Sequence, residues 1–380
     1  MTLALAPLGL LYGAAVRARL RLYRSGILKT ERAGAPVISV GNITTGGTGK
    51  TPLVEWVARS VAREGLRACV LTRGYGRADE SRRVVVSDGE RVLAGVEESG
   101  DEPRLLAERL KGAASVVCDR DRVGAARWAR ENLGAQVFVL DDGFQHLRIA
   151  RDLDIVTVDA TAPWGGGHLL PRGRLREPRA GLARAGCVVV TRADLSEDLD
   201  ALRAEIERLT EGRALVVSSR VRVSRLRLLG GGGAKIEGGA KVEDEGDAEG
   251  QSVASSLQAS ASSLQASASS HQVSALTGRR VAAFCAIGNP RAFFGQLRRE
   301  GFELCYERAF TDHHLYGETD VAQVAREAEG RGARALLTTA KDAVKLGGRE
   351  FALPCYVVET ELEFEDEGGL LSLVREVLKR

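Results

Sequence analysis

VISVGNITTGGTGKTPLV, residues Val37 to Val54, reads as a strand, a glycine-rich turn and the start of a helix. That order builds a phosphate cradle. Gly46, Gly47 and Gly49 let the backbone turn tightly and aim its N–H groups inward, where an anion sits. Lys50 reaches the terminal phosphates of a nucleotide, and the Thr51 hydroxyl is placed to ligate Mg²⁺. Pro52 falls in the first helical turn, where its missing N–H is no loss and the helix dipole favours negative charge. The strict pattern G-x-x-x-x-G-K-[ST] wants glycine where this chain has Thr44, so the match is one residue short. The competing reading is a strand-to-helix turn with an incidental lysine. Strand, glycines, Lys-Thr and helix in the required order favour a nucleoside triphosphate site over it.

At 380 residues the chain exceeds what one core usually holds, which predicts two domains. With 44% hydrophobic and 28% charged residues the composition is that of a soluble globular protein. A net charge of +3 gives no ground for a nucleic-acid partner. Cys69, Cys118, Cys187, Cys285, Cys305 and Cys355 stand singly and without C-x-x-C spacing, which predicts buried reduced thiols in a cytosolic compartment.

From Leu3 to Val16 the chain is mostly apolar, and Arg17, Arg19, Arg21, Arg24, Lys29 and Arg32 follow with only Glu31 opposing them. The apolar run is too short to span a bilayer, and a signal peptide would carry its positive charge before the apolar part. A core helix and a basic anchor on an anionic membrane are both open on these residues.

Beyond the cradle, apolar strands alternate with helices, which predicts a doubly wound, mostly parallel sheet. Each strand end carries something chemical. Tyr75, in the turn RGYGR, lies where open α/β sheets bind ligands, and reads as a substrate contact or as a packed turn aromatic. Asp101, in SGDEPRLLAERL, reads either as a helix N-cap or as a carboxylate held near the phosphates and available as a base. The strand QVFVL ends in Asp141 and Asp142 of DDGFQH, the usual acidic partners of nucleotide-bound Mg²⁺. Arg172, Arg174, Arg176 and Arg179 crowd one loop, suited to phosphate or carboxylate or simply solvated. From Gly230 to about Thr277 the composition turns to Gly, Ser, Ala and Gln, with SLQASAS twice in succession, and reads as a flexible insertion. A smaller α/β unit follows, carrying Asp312, His313 and His314 in a row, for which an acid–base role fits better than a metal site.

In their order, GNITTGGTGKTP, TRGYG, GDEP, DDGFQH, PRGRLREP, IGNP, FTDHH and TTAKDAVKL resemble the tetraacyldisaccharide 4′-kinases, the lipid A 4′-kinases of Gram-negative bacteria. Thr311 and Ala340 depart from the family's pattern, where proline and glutamate are expected. The resemblance implies transfer of the ATP γ-phosphate to the 4′-hydroxyl of tetraacyldisaccharide 1-phosphate, with Mg²⁺. It also implies a protein peripheral on the cytoplasmic face of the bacterial inner membrane and held to that anionic surface by its N-terminal helix; a monomer is expected, though the sequence itself does not give the oligomeric state.

The implied organisation is a membrane-associated helical segment at 1–34 and a P-loop NTPase-like α/β/α kinase core at 35–229, ending in a hinge strand near Val216 to Leu229. The insertion at 230–277 and a smaller α/β/α domain at 278–380 complete it. By motif position, Thr44, Thr45, Gly46, Gly47, Thr48, Gly49, Lys50 and Thr51 bind ATP, and Thr51, Asp141 and Asp142 serve the metal. Asp101 stands in the place of the base with His313 as its dyad partner, and Tyr75, His146 and Arg176 contact the lipid or order the site. The rival is a membrane-cycling P-loop ATPase switch of the partitioning type. Such proteins carry a lysine just before the paired glycines; this chain has Thr45 there.

Overall fold

A computed structural model describes residues 5–229 and 276–379, so the insertion expected at 230–277 lies almost wholly outside the described residues. The chain forms two compact units, one of residues 1–222 with 361–380 and the other of residues 223–360.

The first unit holds β1 (Val37–Asn42), β2 (Ala68–Thr72), β3 (Val84–Ser87), β4 (Ala114–Cys118), β5 (Val137–Asp141), β6 (Leu153–Asp159), β7 (Cys187–Thr191) and the first part of β8 (Leu215–Leu228). Their order is β8-β7-β6-β1-β5-β2-β4-β3, with every pair parallel except β3 with β4. Strands covered on both faces need apolar side chains at every position, which is why VFVL and CVVV show no polar alternation. The helices are α1 (Ala6–Arg24), α2 (Lys50–Arg63), α3 (Val96–Ser99), α4 (Asp101–Arg109), α5 (Arg122–Asn132) and α6 (Leu199–Thr210). Ile38 and Val40 of β1 point into a core with Val54, Val57 and Val61 of α2 and Leu106 of α4. Val37 and Leu140 point the other way, onto Val123, Ala126 and Ala129 of α5. Helices on both faces of a largely parallel sheet make this a doubly wound α/β/α fold. The expected class is the observed one.

The second unit has β9 (Arg280–Cys285), β10 (Glu303–Ala309), β11 (Leu336–Thr339) and β12 (Cys355–Phe364), ordered β10-β9-β11-β12-β8 with β9, β10, β11 and β12 parallel. Of its helices, α7 (Pro290–Arg299) covers Val281 and Ala283 with Phe294 and Leu297. Helix α8 (Glu318–Gly330) covers Ala282 and Phe284 with Val321 and Val324, and α9 (Ala340–Leu346) adds Leu346.

The chain divides at other places than the sequence division. Strands β8 and β12 each pass from one unit to the other, and α10 (Glu367–Leu378) belongs to the first unit. The cause is packing: Leu370, Val374 and Val377 complete the core beside Val54 and Val57, and Trp56 donates to Glu367 at 2.8 Å. The antiparallel edge strand β3 has no counterpart in the sequence reading. It is four residues long, and two of them are only half-buried.

Helix α1 runs well past the apolar segment, through Arg17, Arg19, Arg21 and Arg24. Gly9 and Gly13 are its buried positions: a Cβ at Gly9 would lie 3.5 Å from Cβ of Arg172, and one at Gly13 2.7 Å from Leu169. Leu8, Leu10 and Leu11 face outward at 53%, 73% and 69% exposure. No helix among the described residues is long and apolar enough to cross a membrane.

Candidate active site

The cradle lies between β1 and α2, at the carboxyl end of the central strand, with β5 on one side and β6 on the other. Gly49 has φ +81° and immediately precedes α2, and a Cβ there would come within 3.2 Å of Thr191. Any other residue would be strained in that conformation. The first half of the loop is laced to the basic loop, since Thr45 N–H donates to the Arg174 carbonyl at 2.7 Å and Arg176 N–H to the Ile43 carbonyl at 2.8 Å.

Thr48 anchors the second half, its hydroxyl meeting Asn42 Nδ2 at 2.9 Å and the Thr157 hydroxyl at 2.8 Å. Three carbonyls are turned outward. Arg174 Nε donates to that of Thr45 at 2.9 Å, Arg192 Nη2 to that of Gly47 at 2.7 Å, and the Thr191 hydroxyl to that of Thr48 at 3.0 Å. A planar trans peptide points its N–H opposite to its carbonyl, so the N–H groups of Gly46, Thr48 and Gly49 face inward. Among the described residues the N–H groups of 46 to 49 have no acceptor, and the first turn of α2 adds its own unpaired N–H groups. Such a concavity takes an anion.

Facing it, Lys50 Nζ lies 3.6 Å from Asp142 Oδ1, and Arg176 Nη1 grips both oxygens of Asp142 at 2.6 and 2.8 Å. Burial works to raise the Asp142 carboxyl, but the Lys50 and Arg176 charges outweigh it and hold it below its ordinary range. Asp141 lies deeper, 6% exposed, and accepts from the Thr72 hydroxyl at 3.0 Å. Burial, then the charges of Glu102 and Asp142, push it up to about 6 against the pull of Lys50. Two neighbouring acids are thus shifted in opposite directions, because the cations outweigh burial at Asp142 and do not at Asp141.

Asp101 is not an N-cap. Gly100, at φ +90°, occupies that position, and Asp101 is the first residue of α4, 5% exposed, with Oδ1 accepting from Glu102 N–H at 2.9 Å. Gly100 fits tightly, since a Cβ there would come within 3.0 Å of the Tyr75 carbonyl. The RGYG turn and the GDEP turn therefore lie together, and Tyr75 is 67% exposed.

His146 is half-buried, and its Nε2 is a buried atom with no hydrogen-bond partner among the described residues. Burial, with the charges of Arg122, Arg19 and Arg151, lowers it to about 4, so the ring is neutral at physiological pH. Gln145, from the same motif, donates to the Asn42 carbonyl at 2.8 Å and to Glu177 at 2.7 Å, tying the acids' loop to the cradle strand and the basic loop.

The second unit separates the two histidines. His314 stacks on Phe310 with centroids 4.8 Å apart and meets Asp320 at 3.0 Å, so it is part of the packing at the start of α8. His313 adopts φ +62° and keeps company with charge: Lys341 Nζ lies 3.5 Å from its Nε2 and 3.2 Å from Asp312. Asp101 and His313 belong to different units.

Thr157, Asp159, Thr191 and Arg192 were passed over in the sequence, although polar residues closing the apolar runs DIVTVD and CVVVTR are a readable signal of a site at strand ends. Arg174 was seen only as one of a basic cluster.

The family described as tetraacyldisaccharide-1-P 4′-kinase matches residues 1–379. A tetraacyldisaccharide 4′-kinase of Anaeromyxobacter sp. (strain Fw109-5) is 44% identical over 355 residues, covering 92% of this chain and 85% of that protein. One from Geobacter metallireducens is 40% identical over 343 residues, covering 90% and 88%. Among solved structures, LpxK from Aquifex aeolicus in complex with ATP superposes with a TM-score of 0.72 at 27% identity, covering 99% of each chain.

Proposed function

The chain belongs to the tetraacyldisaccharide-1-P 4′-kinase family, and on that premise we propose how its residues share the reaction. It is a kinase of lipid A biosynthesis, and that reading displaces the partitioning-type ATPase switch. ATP is its phosphoryl donor, and tetraacyldisaccharide 1-phosphate, through its 4′-hydroxyl, is the proposed acceptor.

The observation that carries the assignment is the set of inward-facing N–H groups of Gly46, Thr48 and Gly49 beside Lys50 and the paired acids. Residues Thr44 to Thr51 hold the β- and γ-phosphates, with Lys50 offsetting their charge. Phosphoryl transfer passes through a loose transition state, so positioning and charge neutralisation dominate. Asp101 takes the proton of the attacking hydroxyl, and His313 assists it. Tyr75, Arg176 and His146 order the acceptor. The exposed Tyr75 ring and the unused Nε2 of His146 are the features that support this.

Thr51, Asp141 and Asp142 fit Mg²⁺, which takes one or two protein carboxylates and fills its shell with water and phosphate oxygens. The poorly compensated charge around Asp141, with Glu102 and Asp142 both acting against its ionisation, is the kind of site a cation relieves. Held by these residues, Mg²⁺ would supply positive charge to offset that of the phosphate oxygens. Asp142→Asn is expected to raise the Mg²⁺ concentration for half-maximal turnover by about 10–100-fold. An unchanged Mg²⁺ dependence would remove Asp142 from the metal's side of the site.

We also place the protein at an anionic bilayer on the cytoplasmic face, held by α1. Leu8, Leu10 and Leu11 face outward, and the same helix carries Arg17, Arg21 and Arg24. Burying one leucine is worth about 1.5–3 kcal/mol, so Leu10→Glu with Leu11→Glu should cut partitioning onto phosphatidylglycerol vesicles at least about 10-fold in a sedimentation assay. Equal partitioning of the variant and the wild type would rule this helix out as the anchor.

A further inference from the structure

Arg192 is the first residue after β7 and adopts a left-handed conformation, φ +54°. That turn swings its side chain back over the strand ends. Nε donates to Asp159 Oδ1 at 2.9 Å, Nη2 bonds Asp159 Oδ2, and the same Nη2 donates to the Gly47 carbonyl at 2.7 Å. Asp159, at the end of β6, is itself held by the hydroxyl and N–H of Thr161 at 2.8 and 3.1 Å. The Arg192 and Asp159 side chains are only 12% and 9% exposed, so this ion pair is sheltered and geometrically fixed, unlike the solvated pairs elsewhere on the surface.

The pair does one thing to the cradle. Holding the Gly47 carbonyl outward forces the Thr48 N–H inward, because the peptide between them is planar and trans. Thr191 does the same for Gly49 from the neighbouring position of the same strand end. Glycine at 47 has no side chain to fix its own peptide plane, and nothing lies within 4 Å of where its Cβ would be. An external brace is what stops that peptide from flipping.

We infer that Arg192, locked by Asp159, is a positioning residue that presets the Gly47–Thr48 peptide of the phosphate cradle for the β- and γ-phosphates of the nucleotide. Arg192 need not touch the nucleotide to do this. The inference rests on the kinase reading only in taking the cradle to hold nucleotide phosphates, and nucleotide binding is measured without lipid.

The test compares displacement titrations of ADP and of AMP, which lacks the phosphates in question, on the full chain carrying Arg192→Met, Arg192→Lys or Asp159→Asn. The brace is a charge-assisted hydrogen bond, so Arg192→Met should weaken ADP about 10-fold or more and leave AMP unchanged. Asp159→Asn should reproduce the loss, and the double variant should be little worse than either single one, because the two act as a unit. Arg192→Lys should recover only part, since one ammonium cannot hold the carboxylate and the carbonyl in the fork a guanidinium provides. In turnover, KM for ATP should rise while KM for the lipid stays put. Unchanged ADP affinity, or equal losses for ADP and AMP, would overturn the inference. If the wild type binds ADP but phosphorylates no lipid, the kinase reading fails and this one stands.

Discussion

Asp101→Ala is expected to lower kcat by about 10²–10⁴-fold, the usual range for losing a general base, while ATP still binds. Its place in the fold is the reason. The carboxylate is 5% exposed at the first residue of α4, preceded by a glycine whose φ of +90° no other residue takes comfortably. That glycine packs on the RGYG turn, so the position of Asp101 is set by two loops at once. Its proposed duty is to the acceptor's proton and not to the phosphates, which is why KM for ATP should move little. Single-turnover rates at saturating ATP and lipid measure the effect. A variant within about threefold of the wild type would show that Asp101 is not the base.

Lys50→Met should cost about 10²–10³-fold in kcat, the scale of removing one preorganised electrostatic group from a phosphoryl-transfer site. Here the lysine has a second duty. Its Nζ lies 3.6 Å from Asp142, and with Arg176 it supplies the charge that holds that carboxylate ionised. Removing it takes away the cation whose charge acts most strongly on Asp142, so KM for ATP should rise together with the fall in kcat, unlike the pattern for Asp101→Ala. Steady-state kinetics in ATP at fixed lipid distinguish the two. A Lys50→Met enzyme with normal kcat would contradict a role for Lys50 in the transferring phosphate's charge.

The parts of this architecture that follow a period or a backbone requirement were legible in the chain. Apolar runs such as CVVV and VFVL become strands buried on both faces because only helices on both sides cover them. The glycines of the cradle marked where φ must turn positive, and Gly46 and Gly49 adopt it. What was not legible depends on contacts between distant segments. The apolar face of Glu367–Leu378 reads equally well in either unit, and only its fit beside Val54 and Val57 assigns it to the first. The bracing of the loop by Thr157, Thr191 and Arg192 spans more than 100 residues of sequence, so no local pattern announces it. The resemblance singled out His313, and what His314 does instead, stacking on Phe310, came only from the folded chain.

The central claim is that this cradle delivers a phosphoryl group to a lipid hydroxyl. Purified protein incubated with γ-labelled ATP, Mg²⁺ and tetraacyldisaccharide 1-phosphate in detergent micelles should convert the lipid to its 4′-phosphorylated product, with ATP consumption matching product formed. No labelled lipid, or brisk ATP hydrolysis that is indifferent to the lipid, would contradict it.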